Sequence, residues 1–199
     1  MAETTETFTK GHMATLMTTA LISIGFGMGW WFYGVTSAPD AATPLRIAGV
    51  VLCVALLAWT FSLGRRGREL PAGEGRGSSP FGRTYWIAVV VMVVAIFAGT
   101  RVLTAVLDLP QAGGTWVLFC VGAHFVPFAK LFGSTRFLVM VWLLCGIAVL
   151  AAVLGLAGLA WAWAAVTGFG AATVMWGMIT AALLDGTKQI TRQAQASLS

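Results

Sequence analysis

The 199-residue chain is 58% hydrophobic and 10% charged, with a mean hydropathy of +0.86. A soluble domain carries about 25% charged residues, so this composition excludes a water-facing globule, and no polar stretch is long enough to bury a core of its own. The net charge of +5 sits at helix ends and in one loop, with no aromatic-plus-basic sheet and no recognition helix, which excludes a nucleic-acid binder.

Taken in order, the chain predicts six spans. Residues 1–12 are polar and threonine-rich and predict a short frayed tail. Residues 13–35 form the first span, too long for a signal-peptide core, and the small-residue site at Thr36–Ala38 runs directly into Pro39, so the helix is expected to be retained. Gly25 and Gly29 have GxxxG spacing, with Gly27 between them. Such glycines let helices approach closely in lipid, either within the bundle or against a second copy or a membrane-complex partner. Trp30, Trp31 and Tyr33 follow where an interfacial aromatic belt belongs.

The second span covers 44–63, and Pro44 suits a first helical turn, where its missing N–H costs nothing. Residues 64–83 carry five arginines among glycine, serine and proline, which predicts a flexible basic cytoplasmic loop. The third span covers 84–107 and holds Arg101 near its far end, with Thr104 and Asp108 on roughly the same face. The fourth covers 115–132. After a turn at 133–136 the fifth covers 137–155, and a minimal turn at 156–158 leads to the sixth, 159–184. Residues 185–199 predict a polar tail. Cys53, Cys120 and Cys145 lie in apolar runs, form no CxxC, and suit small buried side chains.

Orientation follows from charge. With both termini cytoplasmic, every lysine and arginine except Arg46 and Arg101 lies on the inner side. The expected fold is therefore an all-α integral membrane protein, a six-transmembrane-helix bundle in the bacterial cytoplasmic (inner) membrane. Three spans plus three would set the halves in opposite orientations, as in inverted-repeat transporters. The two similar segments, 25–30 and 168–177, lie on the first and sixth spans rather than at corresponding positions.

Two residues are too costly to be apolar filler. His124 stands near mid-membrane in VGAHFVPFAKLF, and a polar ring there faces the bundle interior or a cavity. Pro127 removes its own N–H and clashes with the carbonyl of Ala123, predicting a kink beside the histidine. Arg101 stays charged and must snorkel, pair with Asp108 or hold an anion. Counting helical rise places Arg101 within roughly 5 Å of the depth of His124, so the two could line one outward-facing cavity if the third and fourth spans pack antiparallel; otherwise Arg101 snorkels to the outer interface alone. The ligand-binding candidates are His124, Arg101, Asp108 and Pro127. Cys120 and His124 alone do not make a metal site, and no cofactor is indicated. Lys130, Arg136 and Asp185 read as interfacial residues. No HExxH, nucleophile motif or paired intramembrane carboxylates occur.

The stretch Gly122-Ala123-His124-Phe125-Val126-Pro127-Phe128 resembles the G-x-H-[FY]-x-P-[FL] motif of small multi-span bacterial membrane proteins without an assigned activity. That resemblance implies that His124 and Pro127 are a family feature, and implies no substrate. Three functions fit. The first is a transporter-like protein binding a small polar, anionic or amphipathic ligand near His124 and Arg101. The second is an embedded enzyme acting on a lipid or isoprenoid substrate, with His124 as acid or base. The third is a scaffold subunit of a larger membrane complex.

Overall fold

The computed structural model describes residues 8–72, 82–132 and 135–196, and these contain helices and no strand. Six helices carry the fold: α1 (Lys10–Val35), α2 (Ala42–Arg66), α3 (Arg83–Ala105), α4 (Gly113–Phe132), α5 (Thr135–Leu156) and α6 (Ala162–Ala196). Each contains a stretch long and apolar enough to cross a bilayer, and the chain is a multi-pass membrane protein. Short 3-10 turns at Pro39–Ala41, Gly67–Glu69 and Pro110–Ala112 lead into or out of the helices. Pro44 falls in the first turn of α2.

Several boundaries differ from expectation, and α1 already begins at Lys10, inside the expected tail. The segment 185–196 continues α6 rather than forming a tail. Its 35 residues rise about 52 Å against a hydrocarbon core of about 30 Å, so α6 projects well beyond the bilayer. A polar composition concealed this extension, because hydropathy reports lipid exposure and not helicity. The fifth and sixth spans are also joined by a longer connection than the turn at 156–158, since α6 begins only at Ala162. Residues 64–66 of the basic loop complete α2, and its centre, 73–81 with Glu74 and Arg76, lies outside the described residues, as do 133 and 134.

α6 is the shared wall of the bundle. On one side Met13, Ala20, Ile24, Cys53 and Leu63 of α1 and α2 pack with Ala172, Trp176, Ile179 and Leu183. On the other, Leu118, Leu144 and Ala148 of α4 and α5 pack with Ala171 and Met175. α3 packs on α4, and none of its described residues is buried. α2 and α3 share no substantial contact although they are consecutive, whereas α5 and α6 pack closely. The two halves are thus packed differently, which an inverted repeat would not produce.

Glycine and tryptophan set the helix spacing. Trp31 lies over Gly49 and donates its indole N–H to the Leu45 carbonyl at 2.7 Å. Trp116 lies over Gly99 and donates to Ala95 at 3.0 Å, and Trp176 lies over Gly27 and donates to Ile24 at 3.4 Å. In each case the accepting carbonyl is one turn before the glycine. A Cβ leans toward the helix N-terminus and would cover that carbonyl, so glycine opens the path for the indole. In lipid this matters twice, because close packing and interhelical hydrogen bonds drive association there. At Gly168 the backbones of α1 and α6 touch directly against Gly34 and Trp30. The two similar segments at 25–30 and 168–177 therefore face each other, through Gly27 and Trp176, instead of occupying equivalent positions.

The antiparallel packing gathers charge at one end. The starts of α1, α3 and α5 and the ends of α2, α4 and α6 lie together, bringing Lys10, Arg65, Arg66, Arg68, Arg83, Arg136, Lys188 and Arg192 to that end. The opposite end holds Arg46 and Arg101 with Asp40 and Asp108. At the basic end the α6 extension is tied down: Gln193 Nε2 donates to the Phe8 carbonyl at 3.3 Å, and Ile190 packs on the core. The Lys10 amide donates to the Pro71 carbonyl at 3.2 Å, which draws the start of the linker under α1.

Candidate functional site

The α3–α4 seam is built on an antiparallel register that runs from Gly99 and Trp116 at one end to Tyr85 and Phe128 at the other. His124 lies between these contacts. Its imidazole is half-buried and interacts with the main chain of Ala88 on α3. The ring is edge-on to Phe128, with centroids 4.6 Å apart, and tilted against Phe125 at 5.7 Å. Tyr85 stacks on the far side of Phe128 at 5.4 Å, and Phe137 of α5 stacks on Phe125 at 6.1 Å. The histidine therefore sits in an aromatic enclosure drawn from three helices.

One atom in that enclosure is unaccounted for. His124 Nδ1 is buried and has no hydrogen-bond partner. A buried polar atom left unpaired costs about 1–3 kcal/mol. Close by in sequence, Pro127 lies inside α4 and supplies no N–H to the Ala123 carbonyl. The helix runs on to Phe132, so the proline is absorbed within α4.

The structure separates the other candidates from His124. Arg101 lies about 20 Å farther along α3 than Ala88, from the rise per residue, and is exposed. A common cavity of Arg101 and His124 is not formed. Counting depth from span ends failed because the two helices are offset: Trp116 lies against Gly99 and His124 against Ala88, so the end of α3 runs beyond the start of α4. Arg101 makes no ion pair among the described residues, and the expected pairing with Asp108 is absent. Asp108 instead occupies the turn after α3 with φ +52°, the left-handed region that glycine, asparagine and aspartate tolerate. The following amide, Leu109 N–H, donates back to the Leu103 carbonyl at 2.8 Å, closing the helix end. Asp108 is thus placed by backbone geometry.

Gly25 and Gly29 have no neighbour within 4 Å and face outward, while Gly27 and Gly34 make the contacts with α6. The GxxxG pair takes no part in packing within the chain. Among the described residues no three His, Cys, Asp or Glu side chains converge in a way that would hold a metal ion. Cys120 is buried, and Cys145 Sγ approaches the Phe119 carbonyl at 3.8 Å, as small packing residues do.

Sequence reasoning missed most of the enclosure. Phe125 and Phe128 could have been found, since they fall on the turn following His124. Tyr85, Ala88 and Phe137 come from neighbouring helices, and no local signal marks them. It also missed a buried polar pair at the opposite end, where Thr115 and Thr167 hydroxyls lie 2.8 Å apart and Thr115 donates to the Trp163 carbonyl at 3.4 Å. That pair is satisfied and joins α4 to α6. No protein-family model, curated protein or solved structure matches the chain.

Proposed function

We propose that the protein is a multi-pass binding protein of the bacterial cytoplasmic membrane, with both termini in the cytoplasm, that holds a small amphipathic ligand at the α3–α4 seam. The observation that carries this reading is the buried, unpartnered Nδ1 of His124 inside an aromatic enclosure. A hydrogen-bonding head group would satisfy that nitrogen, and flat apolar portions would lie against Phe125, Phe128 and Tyr85. α3 packs mainly on α4, so a ligand can arrive laterally from the lipid. The chain has no acidic residue on α3 or α4, which favours recognition over proton-coupled or acid–base chemistry at this seam. Arg101 belongs to the opposite end and is outside the site.

Native mass spectrometry of gently extracted protein tests this. Wild type is expected to retain a small-molecule adduct that His124→Ala loses. His124→Asn, whose amide oxygen can take the accepting place of Nδ1, is expected to keep part of it. Wild-type protein that is uniformly free of adduct when extracted from native membranes would sink the proposal. The cytoplasmic placement of the basic end rests on the positive-inside bias.

A second reading is favoured by Gly25 and Gly29, which present an open face on α1. Close helix approach through such a face would join two copies or a membrane-complex partner. Replacing both by isoleucine is expected to leave the monomer fold intact and reduce oligomer mass in detergent. Unchanged mass would exclude a homo-oligomer through this face.

A further inference from the structure

A groove of about 240 Å³ lies between α5 and α6, lined by Thr135, Arg136, Val139, Met178 and Ala181. Its walls are almost wholly apolar, while its mouth carries a cation. Arg136 stands at the basic end of the bundle, 64% exposed, with Asp185 bonded to one guanidinium nitrogen at 2.6 Å. A guanidinium has five N–H donors in a rigid fork, so this single contact aims the group and leaves most donors for another acceptor. The depth matches the lipid: the first turn of α5 is where the hydrophobic span begins, and the basic residues of neighbouring helices share that level.

We propose that this groove is a binding site for an anionic phospholipid, with an acyl chain against Val139, Met178 and Ala181 and the head-group phosphate on Arg136. The occupant follows from the arrangement. The groove opens to the bilayer, where apolar chains are the surrounding solvent, and only a ligand combining such a chain with an anion meets both parts of the site. Asp185 is a positioning residue: it holds Arg136 over the mouth. Arginine suits the role because its fork matches phosphate oxygens, and it stays ionised when lipid excludes water from the mouth.

The test is a lipid competition in detergent, reading bound phosphatidylglycerol against phosphatidylcholine of the same acyl composition by native mass spectrometry. Wild type is expected to prefer phosphatidylglycerol by about fivefold, the effect of one basic residue at an anionic surface. Arg136→Gln is expected to bring the ratio to parity. Val139→Trp fills the groove without altering charge and is expected to lower binding of both lipids. Val139 is 43% exposed to lipid, so the larger side chain does not disturb the core. Arg192→Gln, at the same end on the α6 extension, is expected to leave the ratio unchanged. Inorganic phosphate alone is expected to give no adduct. A preference that survives Arg136→Gln, or that Arg192→Gln abolishes equally, would show diffuse attraction to the basic end and overturn the site. Binding unaffected by Val139→Trp, or a phosphate adduct without lipid, would overturn the groove as its location.

Discussion

His124 carries a local cost in stability. Its Nδ1 is buried without a partner, and replacing a polar group by an apolar one of similar shape removes that cost. His124→Leu lifts that cost but also removes the interaction with the Ala88 main chain, so it is expected to change the thermal stability of ligand-free protein by no more than about 1 kcal/mol while abolishing adduct binding. A loss of several kcal/mol on this change would contradict an unpaired Nδ1. Asp108 presents the opposite case. Its φ of +52° makes it a backbone position, so Asp108→Gly is expected to be neutral or stabilising, within about 1 kcal/mol. Asp108→Val is expected to cost about 1–2 kcal/mol through the left-handed strain, read by thermal unfolding. Both residues stand out in the sequence for polarity, yet polarity alone could not tell a half-buried imidazole from a turn residue. The distinction lies in burial and in φ.

At the scale of helix pairs, the indole-over-glycine contacts recur on the α1–α2, α3–α4 and α1–α6 interfaces. A Cβ at Gly99, Gly49 or Gly27 would collide with the tryptophan above it. Gly99→Val is expected to destabilise by about 2 kcal/mol through overpacking and to loosen α3, whose support is α4. Trp116→Ala combined with Gly99→Val should recover part of the loss, because the colliding ring is gone. Gly25→Val and Gly29→Val, with open space around them, are expected to leave monomer stability nearly unchanged. Equal losses at Gly25 and Gly99 would contradict the packing described. The sequence displays all these glycines alike. GxxxG spacing pointed to Gly25 and Gly29, whereas Gly27 and Gly34 face α6, because the direction in which a helix is turned depends on its neighbours.

For the whole molecule, antiparallel packing sorts the charges to two ends. Cysteines substituted singly for Arg68, Arg136 and Arg192 are expected to react with a membrane-impermeant maleimide from one side. Cysteines at Arg46 and Arg101 are expected to react only from the other. Mixed labelling of the first set would break the six-span threading. The α6 extension belongs to this scale too, since it contacts Phe8 and carries Ile190 onto the core near Leu70. Deleting 187–196 removes the Gln193 hydrogen bond and the Ile190 contact, so protection of the α1 amides near Lys10 against hydrogen exchange is expected to fall.

Span number and the segregation of charge are determined by composition along the chain, because burial of apolar residues in lipid is a local property of about twenty residues. The special status of His124 and Pro127 is equally local. Packing is not. The choice of α6 as the central wall, the isolation of α3 on α4, and the meeting of Tyr85 and Phe137 around His124 depend on contacts between residues far apart in sequence. So does the separation of Arg101 from His124: the register of α3 against α4, invisible to hydropathy, sets the end of α3 beyond the start of α4. The sequence alone identified the expensive residues, and tertiary structure decided which of them keep company.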